Sequence, residues 1–310
     1  MQVRGRVLVC DEIDPKGIEI MKKSGLHVDY RPEIKPDELE RSVSEYDILV
    51  VRSRTKVTKE VINGNPKMKI IARVGVGLDN IDVEYAKFKN IRVINAEVAA
   101  MNAVAELVIG LMLSLTRSIP MADAGIKNGK WLKKQLRGTE LKGRYLGIVG
   151  VGKIGRRIGR IARGFGMNII GYDIVPIDAQ FVREVGLVKT DLDTLLSSAD
   201  FVTLHVPLTD DTKHVINEQR LNLMKKTAYI INTSRGAVID EQALYKALKE
   251  GTIAGAALDV FELEPPINDE LIKLPNVVCT PHIGAQTVEA QELAANVIAE
   301  RIIQILAESE

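Results

Sequence analysis

Tyr145-Leu-Gly-Ile-Val-Gly-Val-Gly-Lys-Ile-Gly155 runs from an apolar strand through a sharp glycine turn into the first turn of a helix. Gly150 permits the tight turn, Gly152 lets backbone N–H groups reach phosphate oxygens, and Gly155 lets the helix pack close to the strand. The helix N-terminus adds unpaired N–H groups and partial positive charge, so the stretch reads as a cradle for a pyrophosphate. After a second apolar run, Asn168-Ile-Ile-Gly-Tyr172, comes Asp173. A carboxylate there accepts hydrogen bonds from both adenosine ribose hydroxyls and repels a 2′-phosphate, which points to NAD rather than NADP. Three glycines in a plain surface turn would not require this order of strand, turn, helix, strand and carboxylate.

On both sides of this turn, short β-branched runs alternate with helical segments, the signature of parallel sheets with crossover helices. A first series comprises Val7-Leu-Val-Cys10, His27-Val-Asp-Tyr30, Asp47-Ile-Leu-Val-Val51, Lys69-Ile-Ile-Ala-Arg-Val74 and Arg92-Val-Ile-Asn95. A second begins at Tyr145 and ends with Asn276-Val-Val-Cys-Thr280. Between them lie a long helical stretch from about Met101 to Ser118 and a Gly/Lys-rich segment leading to Trp131. The chain ends in an amphipathic stretch, Thr287 to Leu306, with no strand after it, and a lone helix needs a partner surface. The expected fold is α/β with two doubly wound parallel-sheet domains: a Rossmann dinucleotide domain over 99–285 and a smaller, discontinuous flavodoxin-like substrate domain over 1–98 and 286–310, with a cleft between them.

Net charge is +1 over 310 residues, with 27% charged side chains. That gives no basic field for nucleic acid. The most apolar stretch, Leu107 to Leu115, is too short to span a bilayer, and the amino terminus has no apolar signal core, so a cytoplasmic protein with no membrane partner is expected. Cys10 and Cys279 lie far apart inside apolar runs and read as buried free thiols. No His/Cys cluster has metal-ligand spacing, and no metal is expected.

A second glycine turn, Arg73-Val-Gly75-Val-Gly77-Leu-Asp-Asn80, also follows a strand. Asn80 replaces its third glycine and Asn95, not an Asp, ends the next strand, so Gly75, Val76 and Gly77 are assigned to holding a small anionic substrate by backbone N–H groups. Ligands of open α/β sheets bind beyond the carboxyl ends of strands. There stand Arg235 after Asn232-Thr-Ser, Asp259 and Glu264 after the next strand, and His282 in Thr280-Pro-His-Ile-Gly284. An imidazole held by a carboxylate can shuttle one proton near neutral pH, and a guanidinium can grip a substrate carboxylate bidentately. Beside a nicotinamide this suits oxidation of a secondary alcohol, with His282 as base, Glu264 as its orienting carboxylate and Arg235 as clamp. His205, in Leu204-His-Val-Pro-Leu208, reads as part of a wall over the adenine half, while His27 and His214 look structural or exposed.

These residues resemble the D-2-hydroxyacid dehydrogenases across nearly the whole chain. The likeness rests on Val51-Arg-Ser-Arg-Thr55, Gly75-Val-Gly-Leu-Asp-Asn80, Gly150-Val-Gly-Lys-Ile-Gly155, Gly171-Tyr-Asp173, Asn232-Thr-Ser-Arg-Gly236, Leu258-Asp-Val-Phe-Glu-Leu-Glu-Pro265 and Pro281-His-Ile-Gly-Ala285. It implies that Arg235, Glu264 and His282 are catalytic. It also implies NAD contacts at Lys153, Ile154, Asp173, Val206, Thr233, Asp259 and Gly284, with Asp259 at the carboxamide; Val76, Pro207, Ser234 and Ala285 join that set. Arg52-Ser53-Arg54 ends a strand, and two guanidiniums with a hydroxyl suit a phosphate dianion. This resembles the short-form members that oxidise 3-phospho-D-glycerate, the first step towards serine, so the expected partner is a phosphorylated 2-hydroxy acid, and a regulatory domain with serine inhibition is not expected. Glu97-Val-Ala-Ala-Met101 departs from that pattern, since Ala100 has no donor where relatives often carry an Asn-containing loop. The rival enzyme is a glyoxylate or hydroxypyruvate reductase, which has no need of Arg52 and Arg54. A rival of another class is a dinucleotide-sensing binding protein, like the transcriptional corepressors of the same architecture. Family members pair through the Ala103 to Leu115 region beside Trp131, so a homodimer is expected.

Overall fold

The computed structural model describes residues 3–267 and 270–308. It divides into two compact units, one made of the residues up to Met101 together with those from Ala285 onward, the other running from Asn102 to Gly284.

The first unit holds five strands: β1 (Arg6–Val9), β2 (His27–Tyr30), β3 (Ile48–Val51), β4 (Ile70–Arg73) and β5 (Arg92–Asn95). All pair in parallel in the order β2-β1-β3-β4-β5, the flavodoxin-like order, whose switch point lies between β1 and β3. Helices α1 (Pro15–Lys23), α2 (Pro36–Ser42), α3 (Lys59–Asn63) and α4 (Val83–Phe88) connect them. Every residue of β3 is buried, as a Val/Ile run covered on both faces requires.

The second unit opens with α5 (Met101–Arg117) and α6 (Ile119–Lys127). Its strands are β6 (Tyr145–Val149), β7 (Asn168–Tyr172), β8 (Val188–Lys189), β9 (Phe201–Leu204), β10 (Tyr229–Asn232), β11 (Gly255–Leu258) and β12 (Val277–Cys279). The sheet is parallel in the order β12-β11-β10-β9-β6-β7-β8, so its switch point lies between β6 and β9. Helices α7 (Lys153–Gly164), α8 (Ala179–Val185), α9 (Leu192–Ser198), α10 (Glu218–Leu223) and α11 (Glu241–Glu250) cover it. Strand β8 escapes a sequence reading because it is two exposed edge residues with no apolar run to announce it.

The last helix, α12 (Val288–Ala307), is capped by Thr287, whose side chain accepts from the Ala290 N–H. It packs on α1 in the first unit, where a Cβ on Gly17 would stand 2.8 Å from that of Ala295. Alternating residues of the five-stranded sheet then separate two cores. Val7, Val9, Ile48, Val50 and Ile70 face Met21, Ala295, Ile298 and Ile302, whereas Leu8, Leu49, Val51 and Ile71 face Leu39, Val61 and Ile62. That is the period-2 side-chain geometry of strands. Cys10 is buried and its thiol is pushed well up by desolvation. Cys279, expected inside, is exposed, because β12 is an edge strand. Among the described residues no single helix is long and apolar enough to cross a membrane, and no cluster of His, Cys, Asp and Glu has metal-holding geometry.

Candidate active site

At the β6/β9 switch point Gly150 has φ +90°, and a Cβ there would lie 2.6 Å from the carbonyl oxygen of His205. Gly155 admits no Cβ either, since one would meet the Gly150 carbonyl at 2.3 Å. Gly152 differs: a Cβ would meet nothing within 4 Å, and this residue caps α7 without a side-chain bond to the helix. The turn is therefore closed on the protein side and open at the helix N-terminus, as a pyrophosphate requires. Lys153 and Ile154 open that helix. Asp173 accepts from the Val151 N–H at 2.7 Å and the Val175 N–H at 3.1 Å, which fixes its carboxylate at the end of β7. Beyond β9, His205 bonds Thr203 Oγ1 through Nε2 at 2.7 Å, and burial pushes its pKa down to about 3. Half-buried Val206 and exposed Pro207 follow it. Across the sheet, the buried Thr233 Oγ1 has no hydrogen-bond partner among the described residues, and an orphaned hydroxyl on this rim is a place for a ligand donor or acceptor.

Arg235, Glu264 and His282 sit past β10, β11 and β12, which are neighbours in the sheet. His282 Nδ1 and Glu264 Oε2 are 2.8 Å apart, while Glu264 Oε1 accepts from the Phe261 N–H at 3.2 Å. With the Nδ1 proton held by a carboxylate, Nε2 is left as the basic nitrogen. His282 has φ +53°, a conformation few non-glycine residues adopt. Its cause is Asp259, 1% exposed at the end of β11. The carboxylate of Asp259 takes Thr280 Oγ1 at 2.6 Å, the Ile283 N–H at 2.8 Å and the Gly284 N–H at 2.8 Å, and its carbonyl takes the His282 N–H at 2.9 Å. Arg235 is set by Asn232, whose buried amide donates to the Arg235 carbonyl at 2.8 Å and accepts from the Ser234 N–H and hydroxyl at 3.0 and 2.8 Å. Gly236 then allows the Arg235 loop to lie directly on Phe261, where any Cβ would stand 1.8 Å from a backbone carbon.

The first unit collects its own polar group at the β1/β3 switch point. Asp11, 3% exposed, accepts from the N–H groups of Arg52 and Thr55 and from Thr55 Oγ1. Asn80 donates to the carbonyls of Arg52 and Thr55 at 2.9 and 2.6 Å, and Asn95 to that of Val76 at 2.6 Å. Ser53 is exposed in the loop so held. The two arginines have different partners: Arg52 Nη2 bonds Gln286, whereas the exposed Arg54 donates to the carbonyls of Cys10, Pro32 and Ile34 and pairs with Asp11. The two guanidiniums therefore have separate protein partners, while the Arg54 side chain stays 46% exposed.

Comparison with known proteins decides what carries this geometry. Residues 109–284 match the family model for the D-isomer specific 2-hydroxyacid dehydrogenase, NAD binding domain. The chain belongs to the D-isomer specific 2-hydroxyacid dehydrogenase family. It is 48% identical to a D-3-phosphoglycerate dehydrogenase of Methanocaldococcus jannaschii over 97% of this chain and 57% of that protein. With a hydroxypyruvate reductase of Thermotoga maritima it shares 46% identity over 98% of this chain and 99% of the reductase. Among solved structures, a D-lactate dehydrogenase of Aquifex aeolicus complexed with NAD and lactic acid superposes with a TM-score of 0.84 at 30% identity, covering 98% of this chain and 96% of that one. The chain thus spans little more than half of the phosphoglycerate dehydrogenase and nearly all of the hydroxypyruvate reductase.

Within this 2-hydroxyacid dehydrogenase, NAD belongs to the second unit, and the glycine turn, Asp173 and the Thr233 hydroxyl are chemically suited to it. Asp259, which the resemblance assigned to the carboxamide, has both carboxylate oxygens engaged by the His282 loop. Ser234 is buried on Asn232, and Ala285 begins the last segment of the first unit. Asp11 carries no signal in the sequence, and Asn80, Asn95 and Asn232 stand in its motifs without an assigned role, because their partners are largely backbone groups and backbone leaves no signature in a motif.

Proposed function

We propose that the chain catalyses reversible NAD-dependent oxidation of 3-phospho-D-glycerate to 3-phosphohydroxypyruvate. The observation that carries the reaction type is the 2.8 Å pairing of His282 Nδ1 with Glu264 on the rim of an NAD unit. NAD, when bound, supplies the hydride acceptor. His282 Nε2 removes the hydroxyl proton, Glu264 fixes the ring and stabilises the imidazolium that results, and Arg235 holds the substrate carboxylate. In the reverse direction the same nitrogen returns the proton. Asp173 favours NAD over NADP by repelling a 2′-phosphate.

Identity to the phosphoglycerate dehydrogenase and the Arg52-Ser53-Arg54 loop support the phosphorylated substrate, with Arg52 and the Gly75–Gly77 N–H groups as its ligands. A second reading, hydroxypyruvate reduction, is favoured by the engagement of Arg54 with protein carbonyls and by the full-length match to the Thermotoga maritima reductase. Initial rates with 3-phosphoglycerate, glycerate, hydroxypyruvate and glyoxylate, each under NAD(H) and NADP(H), separate the two. Arg52→Ala is expected to raise KM for 3-phosphoglycerate by about tenfold or more, the loss of one charge-assisted contact, and to leave glyoxylate unaffected. Equal effects on both substrates would return the loop to a structural role. A homodimer is part of this reading, supported by the exposed apolar side chains of Ile119, Met121, Ile126 and Trp131; a monomer mass by light scattering would remove it. A binding protein without turnover would show tight NAD binding and no NADH production from any hydroxy acid in the panel.

A further inference from the structure

Two residues before Glu264 stands a second histidine–carboxylate pair that takes no part in the proton transfer. His214 Nε2 and Glu262 Oε1 are 2.9 Å apart, and their side chains are 37% and 36% exposed. Taken alone, such a pair is a weak surface contact. Its backbone surroundings make it more. His214 has φ +50°, and its N–H donates to the carbonyl of Ala237 at 2.8 Å, two residues after Arg235. One residue thus bonds the arginine loop through its backbone and the glutamate loop through its ring. Glu262 is tied a second time: its carboxylate accepts from the Glu241 N–H at 3.3 Å, and its own N–H donates to Glu241 Oε1 at 2.7 Å, a reciprocal link to the first turn of α11. Gly236 closes the third side, since a Cβ there would lie 2.2 Å from the Glu262 nitrogen.

We propose that His214 and Glu262 are positioning residues that hold the 261–264 loop in register with the Arg235 loop, so that Glu264 meets the His282 ring. The proposal rests on the reading of His282 and Glu264 given above. A tie of small energy suffices, because a displacement of about 1 Å in reacting groups costs on the order of a hundredfold in rate.

Kinetics of NADH-dependent hydroxypyruvate reduction by the full chain test it, with His214→Ala, His214→Gln, Glu262→Ala, the double alanine variant and His282→Asn. The single alanine variants are expected to lose about tenfold in kcat while KM for NADH stays within about twofold, the split that misplacement of a proton-transfer group produces. His214→Gln, whose amide donates to the same carboxylate, is expected to recover most of that rate. The double variant is expected to be no slower than the worse single one, since either change breaks the shared His214–Glu262 contact and Glu262→Ala already removes the Glu241 link. Where an alanine variant does not fold, His214→Leu keeps the bulk without the hydrogen bond and should show the same loss. Parental kcat in His214→Ala or His214→Leu, a glutamine variant no better than alanine, or multiplying losses in the double variant overturns the proposal. If His282→Asn is inactive while the His214 variants run at full rate, only the positioning role fails; if His282→Asn keeps turnover, the reading beneath it fails as well.

Discussion

Gly150 to Gly155 and Gly75 to Gly77 each follow a buried parallel strand, yet their neighbours give them different work. In the first turn the glycines are demanded by backbone: the His205 and Gly150 carbonyls occupy the space where a Cβ at Gly150 or Gly155 would stand. A twelve-residue helix starts there and directs its N–H groups outward. The second turn has no third glycine. Asn80 and Asn95 take over its organisation by donating to the carbonyls of Arg52, Thr55 and Val76. The lesson is that a glycine turn binds a dinucleotide through close backbone approach to a helix, whereas a turn stapled by asparagine amides serves to hold a neighbouring loop.

The sharpest break in that comparison comes from the rim of the first region. His282→Asn should lower kcat by about 10²- to 10⁴-fold with KM for NAD little changed, the usual range for a lost general acid–base group. Steady-state kinetics at saturating NAD checks this, and unchanged turnover would remove the second unit as the seat of the chemistry. Gly155→Ala comes next. Its new methyl meets a carbonyl 2.3 Å away that cannot yield, so a stability loss of about 1–3 kcal/mol is expected from overpacking. A rise in KM for NAD should accompany it, measured by denaturant titration and by rates against NAD. Asn80→Ala is expected to be milder and to act on the other ligand. It removes two hydrogen bonds worth about 1 kcal/mol each and should raise KM for the hydroxy acid while sparing NAD; an equal effect on both would erase the distinction between the turns. His205→Gln should have the smallest effect. The folded protein keeps this ring neutral down to about pH 3, while the unfolded chain takes up a proton below its ordinary value near 6.5. Stability contributed by the neutral ring is therefore complete above that value and is lost as pH falls towards 3, by at most about 1.4 kcal/mol per pH unit. Acid denaturation midpoints should show a flatter profile for the variant, with kcat at neutral pH unchanged.

Much of the architecture was legible because parallel sheets write themselves into sequence as short β-branched runs, and the runs Val7 to Cys10, His27 to Tyr30, Asp47 to Val51, Lys69 to Val74, Arg92 to Asn95 and Asn276 to Thr280 each contain an observed strand. The two-residue β8 was not legible, since exposed edge residues need no apolar pattern. Of the candidate site, the glycine turn and the strand-end Arg235, Glu264 and His282 were readable, because their residue types and spacing are local. The residues that face backbone were not. Asp259 holds the N–H groups of Ile283 and Gly284, and Arg54 bonds the carbonyls of Cys10, Pro32 and Ile34.

The amino-acid sequence by itself determined the family, the parallel α/β class, the nucleotide turn and the residues able to move a proton, since each depends on local spacing and residue type. Only the tertiary structure decided the two strand orders, the left-handed backbone of His282 and which side chains hold the loops. Those depend on carbonyls and N–H groups brought together from distant parts of the chain, and every residue carries the same ones.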